Sequence, residues 1–198
     1  MSGFDEKATA DPIALLQAWI REATAKELND PNAAALATAT QSGAPSVRMV
    51  LIKQADDRGF SFYTNEESQK GIELAENPKA AICFHWKSLR RQVRAEGIVS
   101  QLSSEEANEY FQTRNRASQL GALASQQSRS LESREVLEQR VKELAAKFPD
   151  EIPRPDYWKG YILYPERIEF WQDGAARLHD RISFSREDGR WLKTRLFP

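Results

Sequence analysis

The sequence predicts a mainly β protein, a β-barrel with peripheral helices. Three observations support this class. About eight or nine short segments are strand-like, hairpin signals join neighbouring segments, and the strand–helix alternation of a parallel sheet is missing. The chain has 198 residues, of which 40% are hydrophobic and 29% are charged, and this composition is typical of one globular domain.

The N-terminal region predicts a short tail and then a helix. We expect residues 1–11 to be disordered and residues 12–198 to form a single domain. Asp11 and Pro12 are typical of a helix start, with Asp as the N-cap and Pro at the first helical position. The helix should run to about Leu28, because apolar residues recur at helical spacing at Ile13, Leu16, Trp19 and Ile20.

From Ala34 the pattern changes to strands. The turn QSGA joins the segments AALATAT and PSVRMVLIKQ as a hairpin, and DDRG leads into FSFYT. Asn65 is expected to cap a helix over roughly residues 66–76, which ENP ends. Two more strands follow, KAAICFHW and RQVRAEGIVSQL.

The second half begins with helices and returns to strands. Ser103 and Glu106 form a capping box that opens a helix to about Arg114. A long helix follows later and ends at Pro149; its apolar stripe is Leu137, Val141, Leu144, Ala145 and Phe148. The last four predicted strands are YWKGYILYP, RIEFWQ, ARLHDRISFS and RWLKTRLF.

Composition argues against several classes of function. A net charge of −1 and a pI near 6.2 disfavour a general nucleic-acid binder and a partner with an anionic membrane surface. The nine glycines are scattered, so neither a P-loop nor a G-x-G-x-x-G turn can form. One cysteine and two distant histidines give no metal-ligand spacing, and no G-x-S-x-G elbow is present.

The same composition favours a cytoplasmic protein. The N-terminus lacks an apolar signal segment, and no stretch approaches the length of a membrane-spanning helix. Cys83 is the only cysteine, so no intramolecular disulfide can form, and it reads as a small core residue.

If the protein binds a phosphate, side chains must hold it. Arg48 and Lys53 stand at the two ends of an apolar strand, on opposite faces unless a bulge or the strand end re-aims Lys53. Two snorkelling strand ends are the alternative interpretation. Lys70 falls in the first turns of a predicted helix, where the helix dipole disfavours a cation; a bound anion or simple solvent exposure would explain it.

Two further groups combine cations with hydrogen-bond donors. Tyr110, Arg114 and Ser118 follow i, i+4, i+8 and would share one helix face if the helix continues, either as a phosphate cradle or as a solvated edge. Arg177 and Arg181 flank His179 at alternate positions, so a strand would point all three to one face, with Trp171 as an aromatic wall nearby. That face must meet solvent or an anionic ligand, because unpaired buried charges cost several kcal/mol.

The ordered set of motifs resembles the pyridoxine/pyridoxamine 5′-phosphate oxidase family over about residues 12–198. The motifs are RMVLIK, FYTN, RQVR, YFQTR followed by ASQLGA, QQS, EFWQ, RLHDR and the terminal RLFP. The resemblance implies a split β-barrel homodimer that binds FMN at the subunit interface. It also implies oxidation of pyridoxine 5′-phosphate or pyridoxamine 5′-phosphate by oxygen to pyridoxal 5′-phosphate and hydrogen peroxide, in vitamin B6 metabolism.

The resemblance also assigns residues to the site. By motif, FMN would contact Arg48, Met49, Val50, Leu51, Ile52, Lys53, Tyr63, Thr64, Lys70, Gln92, Gln127, Ser128, Trp171 and Arg181. The substrate would contact Lys53, Tyr110, Arg114, Ser118, Arg177 and His179, of which the last two would be catalytic. The family usually reads S-R-K where this chain has Ser68, Gln69 and Lys70, so one expected phosphate arginine is replaced, and Arg129 is a candidate substitute.

Two other functions remain open at this point. A split-barrel flavin reductase or a non-catalytic FMN-binding protein would keep the flavin residues but need not keep the substrate set. A sheet that binds an RNA strand is disfavoured by the acidic pI and by the absence of an RNP1-like run.

Overall fold

The computed structural model describes residues 10–198, and the predicted disorder of residues 1–9 lies outside that range. Five α-helices are described: α1 (Pro12–Lys26), α2 (Gln69–Glu76), α3 (Ser104–Thr113), α4 (Arg116–Ala124) and α5 (Arg134–Lys147). The strands within this range are β1 (Ala33–Ala39), β2 (Pro45–Leu51), β3 (Gln54–Asp56), β4 (Gly59–Asn65), β5 (Lys79–Trp86), β6 (Arg91–Gln101), β7 (Trp158–Gln172), β8 (Asp180–Glu187) and β9 (Arg190–Leu196).

All these strands belong to one antiparallel sheet, as the hairpin signals predicted. The main order is β2-β1-β5-β6-β7-β4-β3, and β8 pairs with β7 and β9. The first part of β7 pairs with β4 and its last part with β8, while β6 follows β7 along the other edge. Because β4 and β8 lie end to end along β7, the sheet divides there into the two halves of a split β-barrel.

Strand β7 is continuous where the sequence predicted two strands. Pro165 interrupts the hydrophobic pattern and cannot donate to the ladder, which favoured a break. The structure accommodates Pro165 with a register shift between Glu96 and Gly97 of β6. Gly97 is required here, since a Cβ would lie 1.9 Å from the carbonyl oxygen of Tyr164.

The core fills the barrel and extends under its helices. Helix α1 begins where predicted, because the Asp11 carboxylate accepts from the backbone N–H of Ile13 at 2.8 Å. It buries Leu16 and Trp19 against the sheet, and the Trp19 ring meets Phe170 edge-on at 5.2 Å. A second cluster around Phe111, Leu120, Ile152 and Trp158 joins α3, α4 and α5 to the start of β7.

One predicted helix start was wrong, and one helix was not predicted. Helix α2 begins at Gln69, since the Asn65 side chain accepts from the N–H of Glu67 at 2.7 Å and forms a turn that precedes the helix. The helix that opens at the Ser103 capping box ends near Arg114 as predicted, so Tyr110, Arg114 and Ser118 do not share one helix face. Arg114 is extended (ψ 145°), and Asn115 caps the unpredicted helix α4 by accepting from the N–H of Ser118 at 2.8 Å.

The predicted strand through Arg177, His179 and Arg181 was also wrong. Residues Ala175–Arg177 form a short 3₁₀ turn with positive φ at Ala176 (53°) and Arg177 (64°), and β8 begins only at Asp180. These three side chains therefore do not share a strand face. Alternation alone cannot distinguish a strand from a turn that leads into one.

Candidate active site

A large cavity lies where β2 and β4 end beside α3 and α4. Its volume is about 460 Å³. The side chains that line it are Met49, Val50, Leu51, Lys53, Tyr63, Thr64, Lys70, Tyr110, Thr113, Arg114, Asn115, Ser118, Gln127 and Trp158. Strand β2 ends at Leu51, and Lys53, which lies beyond the strand end, lines the cavity, whereas Arg48 does not.

The charged side chains that line this cavity are all cationic. They are Lys53, Lys70 and Arg114, and no aspartate or glutamate is among the lining residues. Thr64, Ser118 and Gln127 add hydroxyl and amide groups to the cavity lining. A pocket of this kind favours an anionic ligand with several acceptor oxygens, such as a phosphate.

Lys70 is a buried cation in the wall of the cavity. Only 6% of the residue is exposed, and its Nζ donates to Thr64 Oγ1, Ser68 Oγ and Gln127 Oε1, each at 3.2 Å. All three acceptors are neutral. Burial, and then the nearby Arg48 charge, lower the pKa of Lys70 to about 8. Glu73, which is paired with Arg48, offsets this lowering only in part, so a bound anion would supply the charge that the ammonium group does not receive from its hydrogen-bond partners.

Arg114 has the same deficit on the other side of the cavity. Its guanidinium carbon lies 5.0 Å from the Trp158 ring centroid and 5.7 Å from that of Phe111, so aromatic faces support it. Its Nη1 is buried and has no hydrogen-bond partner among the described residues. Burial lowers the pKa of this arginine. A buried donor without an acceptor is costly, which again favours a ligand oxygen here.

Three stacked aromatic rings form one wall of the cavity. The Tyr63 ring lies 4.1 Å from Tyr110 and 5.2 Å from Trp158, with interplanar angles of 18° and 10°. The Lys53 ammonium lies 5.9 Å from the centroid of the Tyr110 ring. A planar aromatic ligand would find a flat surface beside the cations.

Arg48 points away from this cavity into a polar network. It pairs with the buried Glu73 at 3.3 Å and also donates to the hydroxyls of Thr38 and Ser46. Gln69 donates to the other oxygen of Glu73 at 3.0 Å. The Ser46 and Thr38 hydroxyls also donate to Glu73; although burial alone would raise its pKa, the hydrogen bonds from Ser46, Thr38, Gln69 and Arg48 lower the pKa of Glu73 to about 2. The carboxylate thus neutralises Arg48 and holds Gln69.

A second group of predicted residues lies on another part of the sheet. Gln92 stands directly opposite Trp171, and Trp171 directly opposite Arg181, so these three share one face of β6, β7 and β8. Arg181 donates to the buried Glu169 at 2.8 and 2.9 Å and to the carbonyl of Phe197 at 2.9 Å. Arg94 holds the other oxygen of Glu169 at 2.8 Å.

His179 belongs to this second group. Its ring centroid lies 4.6 Å from that of Trp171, and its Nδ1 lies 3.0 Å from Asp173 Oδ1. Arg177 is exposed in the preceding turn. The turn before His179 supplies the carboxylate beside its imidazole.

The structure therefore divides the predicted site residues into two groups. Eleven line the large cavity: Met49, Val50, Leu51, Lys53, Tyr63, Thr64, Lys70, Tyr110, Arg114, Ser118 and Gln127. Five lie on the second face or its turn: Gln92, Trp171, Arg177, His179 and Arg181. Three do not line it: Arg48 bonds to the Glu73 network and to Leu36, while Ile52 and Ser128 line two other cavities.

The sequence prediction missed three residues of the cavity. Thr113 and Asn115 flank Arg114 at the break between α3 and α4, and Trp158 begins β7. The polar run TRN was a signal for the first two. Nothing in the sequence distinguished Trp158 from an ordinary strand aromatic.

Residues 10–198 were compared with two other kinds of functional feature, a metal site and a membrane-spanning helix. In this range no three His, Cys, Asp or Glu side chains come together as a possible metal site. Nor does any helix in it combine the length and apolar character that crossing a membrane requires.

Comparison with known proteins agrees with the cavity's chemistry. The family model described as pyridoxamine 5′-phosphate oxidase matches residues 20–148. A second model, the pyridoxine 5′-phosphate oxidase C-terminal dimerisation region, matches residues 158–198. The chain is 56% identical over 191 residues to a pyridoxine/pyridoxamine 5′-phosphate oxidase of Agrobacterium fabrum, covering 95% of this chain and 93% of the relative. The corresponding protein of Gluconobacter oxydans is 55% identical, with 96% and 95% covered.

Solved structures agree with this assignment. PhzG from Burkholderia lata, in complex with tetrahydrophenazine-1-carboxylic acid, superposes with a TM-score of 0.93 at 34% identity, covering 100% of this chain and 97% of that one. An FMN-binding protein of Nostoc punctiforme shares the fold, with a TM-score of 0.77 at 18% identity over 96% of this chain and all of that one. The chain belongs to the pyridoxamine 5′-phosphate oxidase family.

Proposed function

We propose that this protein is an FMN-dependent oxidase that converts pyridoxine 5′-phosphate or pyridoxamine 5′-phosphate to pyridoxal 5′-phosphate, using oxygen and releasing hydrogen peroxide. Full-length relatives above 50% identity carry the corresponding name. The observation that carries the proposal is the cationic cavity, in which Lys70 is buried with only neutral hydrogen-bond partners and the buried Nη1 of Arg114 has no partner among the described residues. We also propose that residues 12–198 form a single domain and that the protein is located in the cytoplasm.

The two ends of the cavity suit two different phosphates. The Lys70 ammonium, which Thr64 Oγ1 and Gln127 Oε1 hold by accepting from it, suits the phosphate of FMN. Lys53, Tyr110, Arg114 and Ser118 would bind the substrate phosphate, since the unpartnered Nη1 of Arg114 needs an acceptor. When bound, the flavin supplies the redox chemistry, taking a hydride equivalent from the exocyclic carbon of the substrate and returning the electrons to oxygen.

The protein's own contribution is to hold and orient these groups. The stacked rings of Tyr63 and Tyr110 offer a flat surface beside the phosphate sites and exclude water from it. Arg177 is proposed to hold the substrate ring over the flavin and His179 to contact its ring substituents. Positioning of this kind lowers the barrier without requiring a strong general base in the chain.

A homodimer would bring the two groups of residues together. Trp158 of the first group and Trp171 of the second lie at the two ends of β7, roughly 40 Å apart along an extended strand. Several apolar side chains are exposed on the single chain, including Val47, Met49, Leu178 and Phe197. The match of residues 158–198 to a dimerisation region supports a two-fold partner that supplies the second group to the cavity.

The replacement of the usual phosphate arginine by Gln69 would not remove the FMN site. Gln69 is hydrogen-bonded to Glu73 and so reinforces the network that neutralises Arg48. Arg129 does not substitute for the arginine in the described chain, because it pairs with Glu67 at 2.7 Å. Binding of the FMN phosphate would therefore depend on Lys70 more than on Arg48 or Arg129.

The test is an assay of purified protein loaded with FMN. We expect an absorbance near 450 nm, and peroxide together with pyridoxal 5′-phosphate when pyridoxamine 5′-phosphate is added. Flavin binding without oxidation of either phosphate substrate would instead support a flavin reductase or a non-catalytic FMN-binding protein. Arg114→Ala should raise KM for the phosphate substrate while the flavin remains bound. An unchanged KM would contradict the placement of the substrate phosphate.

A further inference from the structure

The turn between β7 and β8 places a carboxylate between two basic side chains. Asp173 Oδ1 lies 3.0 Å from His179 Nδ1, and the other carboxylate oxygen pairs with Arg90. The backbone N–H of Asp173 also donates to the carbonyl of Arg90 at 3.0 Å. The side chains of Asp173 and His179 are only 15% and 19% exposed. Arg90 of the β5–β6 turn thus holds the Asp173 carboxylate in place beside the imidazole.

Two groups compete for the same nitrogen of His179. The backbone N–H of Gly174 points at Nδ1 from 3.2 Å, which requires a bare Nδ1, whereas the Asp173 carboxylate at 3.0 Å requires an Nδ1–H. A bare Nδ1 would set its lone pair against a carboxylate oxygen. A charge-assisted N–H···O⁻ bond is roughly twice as strong as a bond between neutral groups, so the proton belongs between Nδ1 and Asp173.

This assignment leaves the other ring nitrogen as an acceptor. In a neutral imidazole one nitrogen carries the proton and the other accepts. No described residue hydrogen-bonds to Nε2 of His179, and the Trp171 ring, 4.6 Å away, limits rotation of the imidazole. Nε2 is therefore held in one plane and is available to a ligand.

We propose that Asp173 is a positioning residue that holds His179 as the Nδ1–H tautomer, so that Nε2 accepts a hydrogen bond from the substrate group that is oxidised. This rests on the proposed function, in which His179 faces the substrate. The hydroxyl of pyridoxine phosphate and the ammonium of pyridoxamine phosphate are both donors at that carbon. An N–H at Nε2 could not bond to the ammonium, which only donates. Only a bare Nε2, which accepts, can form a hydrogen bond with both substrates.

The tautomer can be read directly by nitrogen NMR of the FMN-loaded enzyme. The chain has two histidines, so His85→Gln leaves one set of imidazole signals to observe. At high pH, where imidazoles are generally neutral, we expect Nδ1 of His179 to appear protonated and Nε2 bare. In Asp173→Asn the proton should move to Nε2, with Nδ1 accepting from Gly174. A wild-type Nε2–H signal, or no change in Asp173→Asn, would overturn the proposal.

Arg90→Ala is the matched control. It removes the charge on the far oxygen of Asp173 but leaves Oδ1 beside His179, so the Nδ1–H tautomer should persist. Asp173→Ser is a second variant that removes the carboxylate, and flavin absorbance confirms that each variant is folded. A loss of the tautomer in Arg90→Ala equal to that in Asp173→Asn would show that Asp173 does not set it.

Kinetics separate this role from a purely structural one. In Asp173→Asn, kcat should fall about ten- to hundredfold while KM changes by less than about threefold, since the lost interaction is made at the reacting group. A shifted tautomer with unchanged kcat would refute the role of Nε2. Wild-type enzyme that oxidises neither substrate would contradict the proposed function instead, and the NMR result would still decide whether Asp173 sets the tautomer.

Discussion

The lowered pKa of Lys70 predicts that FMN affinity falls steeply between pH 7 and pH 9. Its pKa is lowered to about 8 in the ligand-free protein, and its Nζ is the buried cation of the cavity wall. Only the ammonium form can attract a phosphate. The phosphate of FMN is already a dianion over this range, because its second pKa is about 6. Lys70 is therefore the group whose titration should control affinity here.

The size of the effect follows from the charged fraction. With a pKa of about 8, roughly 90% of Lys70 is charged at pH 7 and about 10% at pH 9, so the affinity should fall about tenfold, or about 1.4 kcal/mol. With the ordinary pKa of 10.5, the charged fraction would change by only about 3% over the same range. The two cases differ enough for a simple titration to distinguish them.

The assay is a fluorescence titration of apoprotein with FMN at several pH values. Lys70→Met should bind FMN about ten- to a hundredfold more weakly at pH 7, since a hydrogen bond to a charged group contributes about 1.5–3 kcal/mol, and its affinity should not vary with pH. Lys70→Arg stays charged and should also give a flat profile. An equal fall in wild type and Lys70→Met would assign the titration to another group, and a flat wild-type profile would refute the reasoning.

The same pKa has the opposite effect on the stability of the apoprotein. The folded-state pKa lies below the unfolded value, so between about pH 8 and pH 10.5 the unfolded chain binds more protons. The free energy of unfolding of the apoprotein should therefore gain a stabilising contribution as pH rises through this window. Urea melts of wild type and Lys70→Met at pH 7.5 and pH 9.5 would show whether wild type gains stability relative to the variant.

Three further predictions concern other parts of the molecule. Arg181→Ala should release FMN and recover activity in excess FMN, whereas Arg177→Ala should keep its flavin and lose turnover by about a hundredfold; flavin content and kinetics with and without added FMN check this, and the reverse pattern would contradict the assignment. Gln69→Arg should leave FMN affinity within about threefold if the Glu73 network already replaces the arginine, and a much tighter Kd would show a real deficit. Gly97→Ala should destabilise the fold by about 2–4 kcal/mol in a denaturant melt, since its Cβ would collide with the Tyr164 carbonyl, and an unchanged midpoint would contradict this.

The sequence predicted the strands better than their boundaries. Alternation and hairpin signals identified the sheet, and the cap at Asp11 and the capping box at Ser103 identified two helix starts. The helix end near Arg114 was also predicted, but helix α4 directly after it was not. Asn115 can serve as a helix residue or as a cap, and only the packing of Phe111 and Leu120 around Trp158 selects the cap.

The site residues were predicted through the motifs, but their division into two groups was not. Spacing places Tyr63 and Lys70 near each other because a short turn separates them. It gives no information on how far Trp171 lies from them, since that distance depends on strand order and on the coiling of the sheet. The pairing of His179 with Asp173 also depends on positive φ angles at Ala176 and Arg177, which neither residue type favours.

Strand β7 makes each active site depend on opposite ends of two copies of the same strand. In the proposed dimer, one copy supplies Trp158 to a cavity and the partner copy supplies the end that carries the partner's Trp171. A mixture of two inactive variants, one damaged at each end, would form hybrid dimers in which one site receives both intact ends and the other receives both damaged ones. Random pairing of equal amounts would then restore about a quarter of all sites from two dead proteins.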